Sequence, residues 1–114
     1  MATKPAVIQN HLPIVKTITW ENFTAADDVG EHLITAHYSD KTVTVFGNFG
    51  SGGSMKMEGS NDGVNWFDMT DPQGNALTFT AAKMEMLQEN PLYVRPKMTA
   101  GTSVDIDVIL CGVG

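Results

Sequence analysis

Apolar and polar residues alternate with a period of two along much of this chain, the spacing of strands that bury one face. The pattern is clearest near the C-terminus, where Val104, Ile106, Val108 and Leu110 share one face and Asp105 and Asp107 lie on the other. Residues 42–48 repeat it, with Val43 and Val45 set against Thr42, Thr44 and Phe46. In residues 14–20 the alternation sets Ile14, Ile18 and Trp20 against Val15, Thr17 and Thr19. Shorter strands are expected at 55–58, 66–69 and 92–98.

Turn signals separate these segments: Ser39-Asp40, Gly50-Ser51-Gly52-Gly53, Asn61-Asp62-Gly63, Asp71-Pro72-Gln73-Gly74-Asn75 and Ala100-Gly101. Asx side chains bond the local backbone and glycine accepts positive φ, so such clusters reverse a chain. Seven or eight short strands so spaced predict an all-β, single-domain antiparallel β-sandwich, of jelly-roll or immunoglobulin-like type. One segment competes. Residues 81–89, Ala-Ala-Lys-Met-Glu-Met-Leu-Gln-Glu, are good helix formers, so one short helical turn is entertained there. A helix of that length needs tertiary support, and Met84 and Met86 also alternate with Lys83 and Glu85.

The N-terminal segment reads differently. Residues 1–13 contain Val7, Ile8 and Leu12 but are broken by Pro5 and Pro13, which suit a central strand poorly. The domain division expected is an extended arm at 1–13 and a sandwich at 14–114. The arm's apolar side chains would lie on a neighbouring subunit or a partner.

Composition narrows the classes of function. At 114 residues there is room for one domain, and 42% hydrophobic with 18% charged residues is the balance of a folded globular chain. A net charge of −6 with the seven Lys and Arg dispersed argues against nucleic acid and against anionic membrane surfaces as partners. The partner expected is another protein. Cys111 is the one cysteine, so no intramolecular disulfide is expected. No apolar run approaches the roughly 20 residues of a membrane-spanning helix, and no signal-peptide core is evident. Synthesis in a cytoplasm fits these features.

Candidate chemistry is sparse. His11, His32 and His37 stand apart from one another and from Cys111, without zinc-site spacing. Asp27-Asp28 and the group Asn61, Asp62, Asp68 and Asp71 could offer oxygens to calcium, but they lack the EF-hand pattern, and turn chemistry accounts for them. No serine sits in a nucleophile elbow, and no Walker or dinucleotide fingerprint is present. The expectation is no enzyme activity, no cofactor and no metal. Trp20, Trp66, Phe67 and Tyr93 could form a stacking platform for sugars or bases. The favoured expectation places Trp66 in the core, plugging one end of the sandwich.

Three motifs, in order, carry a family resemblance. They are Gly59-Ser60-Asn61-Asp62-Gly63-Val64-Asn65-Trp66, then Thr70-Asp71-Pro72-Gln73-Gly74-Asn75-Ala76-Leu77, then Pro91-Leu92-Tyr93-Val94-Arg95-Pro96. From Val43 onward the chain resembles small virion structural proteins of tailed bacteriophages, the capsid cement or decoration group. The resemblance implies a sandwich building block in which the first motif is a hairpin turn with an inward tryptophan. Its motif residues are Gly59, Ser60, Asn61, Asp62, Gly63, Trp66, Pro91, Tyr93 and Arg95, with Val7, Ile8 and Leu12 as a partner-binding arm. It further implies a protein that binds the outer surface of the head and bridges major capsid subunits against internal DNA pressure. A homo-oligomer is expected, a trimer before a dimer. The same motif occurs in tail and fibre modules, so the alternative is a tail- or fibre-associated carbohydrate-binding or adhesion module.

Overall fold

The computed structural model describes residues 2–114, and among them no helix forms. Twelve strands follow one another. The first six are β1 (Thr3–Lys4), β2 (Val7–Leu12), β3 (Val15–Phe23), β4 (Val29–Gly30), β5 (Leu33–Ile34) and β6 (Asp40–Asn48). The rest are β7 (Ser51–Ser60), β8 (Phe67–Asp68), β9 (Thr78–Phe79), β10 (Lys83–Met86), β11 (Tyr93–Thr102) and β12 (Asp105–Val113). The count exceeds the seven or eight expected because five of the strands are two-residue pairings that alternation cannot register.

Two sheets face each other as a β-sandwich. One has the order β10-β6-β12-β3-β2, and the other β1-β4-β11-β7-β8, with β5 alongside β11 and β9 alongside β7. Alternation decides the packing. Val43, Val45, Ile106, Val108, Leu110, Ile18 and Trp20 point inward from the first sheet, and Met55, Met57, Val94 and Met98 meet them from the second. Burying each such side chain stabilises the fold by roughly 1.5–3 kcal/mol relative to exposure. Trp20 is fully buried, and its indole N–H donates to the Glu31 carbonyl at 3.0 Å. The platform role considered for Trp20 is thereby excluded. Ile14, expected inward with Trp20, instead lies exposed in the two-residue turn between β2 and β3.

Residues 81–89 form no helical turn. Lys83–Met86 is instead the strand β10, antiparallel to β6 with Glu85 opposite Val43. The Leu87 N–H donates to the Lys41 carbonyl and the Gln88 N–H to the Thr70 carbonyl, while Leu87 is buried. Sheet hydrogen bonds and one anchored leucine outweigh a helix preference that amounts to tenths of a kcal/mol per residue.

Thr3–Lys4 and Val7–Leu12 are built into the two sheets. β1 runs parallel to β4 on the edge of one sheet, and β2 pairs antiparallel with β3 on the edge of the other. Asp28, buried behind this crossing, accepts from the backbone N–H groups of Ala2, Thr24 and Ala25 at 3.0–3.1 Å, and Lys4 sits 3.7 Å away. Burial alone would raise the pKa of Asp28, but these donors and Lys4 together hold it below the ordinary value. Glu31 adds a second clip by accepting from the Ala6 N–H at 3.0 Å. The six side chains of β2 nevertheless remain exposed, Val7, Ile8 and Leu12 among them.

Candidate functional site

The motif at 59–66 is a self-satisfied turn. The Ser60 hydroxyl accepts from the N–H groups of Asp62 and Gly63 and donates to Asp62 Oδ1 at 2.9 Å. Asp62 Oδ1 also accepts from the N–H groups of Val64 and Asn65, at 2.8 and 2.7 Å, and its Oδ2 accepts from the Asn65 amide. The two backbone donors, then the Asn65 amide and Ser60, hold the Asp62 carboxyl far below its usual range. Gly63 sits at φ 76°, a left-handed conformation that favours glycine.

This turn is fastened to the third motif. Asn61 Oδ1 accepts from the Leu92 N–H at 3.0 Å, and a side chain at Gly59 would come within 2.7 Å of Pro91. Tyr93 then enters β11 opposite Ser60, and Arg95 stands opposite Glu58. The Arg95 Nε–H donates to Glu58 at 3.0 Å, and its guanidinium lies 3.9 Å from the centroid of Trp66. His32 closes the group with edge contacts to Trp66 and Tyr93, ring centroids 5.3 and 4.9 Å away.

Trp66 is therefore half-buried on the outer face of its sheet, not inward as the resemblance implied and not a core plug. Phe67 precedes the next inward position, Met69, by two residues but is itself exposed at the outer strand β8. The residues beside this cluster form an ion-pair ladder. Lys56 bridges Asp68 at 2.8 Å and Glu58 at 3.3 Å, and those carboxylates, Asp68 foremost, raise the Lys56 pKa.

Between the turn and the segment 89–91 lies an open cleft of about 600 Å³, lined by Asn61, Asp62, Asn65, Phe67, Asp68 and Glu89 among others. Most of its polar atoms are already engaged. Glu89 accepts from the N–H of Thr70 and bonds its hydroxyl, and Asn90 bonds Lys41 and the Ala36 carbonyl. What the cleft presents to a ligand is the exposed Phe67 ring and an Asp68 carboxylate whose Oδ1 is held by Lys56.

With this geometry, comparison with solved structures places the fold. It is the fold of two prophage proteins. SPBc2 prophage-derived protein YomS superposes with a TM-score of 0.66 at 13% identity, over 93% of this chain and 100% of that one. The PBSX exported protein XepA gives the same TM-score at 12% identity over 93% of this chain, which spans 40% of XepA's length. A cupin domain from Bordetella pertussis Tohama I is also similar, with a TM-score of 0.52 at 12% identity over 100% and 98% of the two chains. At such identities the likeness is one of fold. No protein-family model and no curated protein sequence matches the chain.

Among the described residues no three His, Cys, Asp or Glu side chains are placed to hold a metal ion. Of the acids considered for calcium, Asp62 and Asp71 serve turns and Asp68 pairs with Lys56. Asp71 accepts from the N–H of Asn75 and Gln73, the Asn75 hydrogen bond being the main cause of its depressed pKa. Asp28 secures the N-terminus, and Asp27 follows the turn at φ 69°. His11 pairs with Thr17 at 3.0 Å, while His37 packs on Tyr38. Among the described residues no helix is long and apolar enough to cross a membrane.

Alternation could not reveal the His32, Trp66, Tyr93 and Arg95 cluster, because its members come from three separate segments. One signal was available. Tyr93 and Arg95 are two apart and so share a strand face, and Val94 between them is apolar, which makes the face holding Arg95 the outer one.

Proposed function

We propose that this protein is a phage virion component without enzymatic activity, a cement or decoration subunit that binds the outer surface of the head and bridges major capsid subunits. The observation that carries the reading is the likeness of fold to YomS across that prophage-derived protein's whole length, which makes a free-standing sandwich of this size a unit found in phage-derived proteins. The surface fits a protein partner. The motif's polar groups are spent on its own turns, whereas Val64, Met84 and Met86 are exposed apolar side chains that gain from being covered.

A second reading rests on the cleft beside the motif. Phe67, 72% exposed next to Asp68, offers a flat apolar ring on which a sugar ring can stack, beside a carboxylate whose Oδ1 is held by Lys56. That arrangement favours a tail-associated adhesion module.

Particles purified with and without the protein separate the two. A cement subunit is present in hundreds of copies by quantitative mass spectrometry, and heads lacking it release DNA at a lower temperature, because a ligand of the native shell stabilises it by mass action. A handful of copies per particle with unchanged release temperature overturns the cement reading.

A further inference from the structure

The outer strand β2 combines three features that a monomer's edge rarely shows together. It has no strand on its far side among the described residues, all six of its side chains are exposed, and none carries a formal charge. Native sheets usually guard such an edge with charge, proline or a covering element. The other outer strands follow that rule. β10 carries the Lys83–Glu85 ion pair, β8 carries Asp68 and β1 carries Lys4, whereas β2 has only uncharged guards, Pro13 directly after it and a register shift between Asn10 and Leu12.

The surface around β2 is apolar. Val7 is 57% exposed, Ile8 51%, Leu12 62%, Ile14 57% and, across a cleft of about 440 Å³, Ile34 55%. Val7 and Ile8 are consecutive on the strand and so face opposite sides of it, Ile8 sharing its cleft with Ile34, and exposed aliphatic groups on an edge mark an interaction site.

We propose that β2 is a self-association edge, at which a second copy of this chain adds its own β2 antiparallel to make one continuous ten-stranded sheet. Charge selects this occupant. The chain carries −6, yet residues 1–20 hold Lys4 and Lys16 and no Asp or Glu, and Glu31, beside the start of β2, is bonded to the Ala6 N–H, so two acidic copies approach at this edge with β2 itself contributing no carboxylate. The strand is self-complementary. Antiparallel pairing centred on Asn10 sets Ile8 opposite Leu12 and Gln9 opposite His11, apolar against apolar and polar against polar, with the register shift between Asn10 and Leu12 at the two-fold axis.

The area sets the strength. A strand and a few flanking residues fall short of the roughly 800 Å² per partner of a standard interface, which places the pair among weak, concentration-dependent dimers. Closed two-fold pairing of this kind is isologous and stops at two copies. The inference holds whether or not the protein belongs to a capsid, so failure of either leaves the other standing.

Sedimentation equilibrium of the full chain over a wide range of protein concentration tests it. The 12.3 kDa chain is expected to move reversibly toward twice that mass as concentration rises into the micromolar range. The variants Ile8→Lys and Leu12→Lys should each shift the dissociation constant upward at least tenfold with unchanged β circular dichroism, while Met84→Lys on the opposite edge leaves it unaltered. Amide exchange supplies a readout independent of the variants, since outward N–H groups of β2 should gain protection with concentration. A monomer at every concentration, a ring of three or more copies, or a dimer lost only in Met84→Lys overturns the proposal.

Discussion

The guanidinium of Arg95 lies 3.9 Å from the centroid of the Trp66 indole while its Nε–H donates to Glu58, so one side chain joins the motif turn to the neighbouring strand β7. Cation–π contacts contribute about 0.5–1 kcal/mol at exposed sites and up to about 2 kcal/mol when desolvated. Trp66→Ala is therefore expected to lower unfolding free energy by about 1–2 kcal/mol in urea titrations. Trp20→Ala, at a fully buried ring, should cost about 3–5 kcal/mol. Equal losses would return Trp66 to the core.

Gly59 is a packing requirement of the same motif. A methyl group there would meet the Pro91 ring at 2.7 Å and the Met69 sulfur at 3.3 Å. Gly59→Ala should destabilise the protein by about 1–3 kcal/mol through overpacking. Thermal melts read the loss, and Gly74→Ala, which meets nothing within 4 Å but sits at φ 86°, gives the cost of backbone strain without a clash.

Asp28 makes a specific prediction about the N-terminus. Removing residues 2–6 takes away the Ala2 N–H and Lys4, two of the groups that stabilise a buried carboxylate. Hydrogen bonds to charged groups contribute about 1.5–3 kcal/mol each. The truncated chain should lose at least that much stability in urea, whereas a merely frayed terminus would leave the midpoint where it was.

Acid should destabilise the fold in a defined window. Asp28, Asp62, Asp71 and Glu89 all have folded-state pKa values below the ordinary 3.8 and 4.5. Burial is the largest influence on Asp28 and on Glu89 and acts upward, but hydrogen bonds to backbone N–H groups, and to Thr70 for Glu89, outweigh it. Each group binds protons less readily when folded, so its stabilisation is complete above the ordinary values and disappears as pH falls through the folded ones. Melting temperature should hold between pH 5 and 7, on the flat side of about 4, and fall below it. Asp62→Asn should flatten that fall.

Lys41 is buried, with its ammonium donating to the Tyr38 carbonyl at 2.8 Å and to Asn90. Burial pulls its pKa down, partly offset by Asp40. Its folded-state pKa lies below that of the unfolded chain, so the cost of charging it is relieved as pH rises between the two. Reductive methylation of the native protein, followed by mass spectrometry, should leave Lys41 unmodified while Lys97 and Lys83 react. Lys41 labelling at their rate would show that this side chain reaches solvent.

Much of the fold was legible because strand periodicity is local. Val104 to Leu110 and Thr42 to Phe46 face the directions their alternation dictates, and Asn61-Asp62-Gly63 and Asp71 to Asn75 turn the chain through bonds spanning no more than four residues. Segments whose conformation depends on distant partners were not legible. Residues 81–89 became a strand because β6 offered an open edge, and Trp66 lies outward because Arg95, about thirty residues later in the chain, covers its face. The sequence by itself determined an all-β sandwich and the residues of its turns, since two-residue alternation and Asx hydrogen bonds act within a few positions. Tertiary structure alone decided that residues 2–12 belong to both sheets, that His32, Trp66, Tyr93 and Arg95 meet on one face, and that β2 is left uncovered, because pairing across the chain depends on which edges remain free once the core has closed.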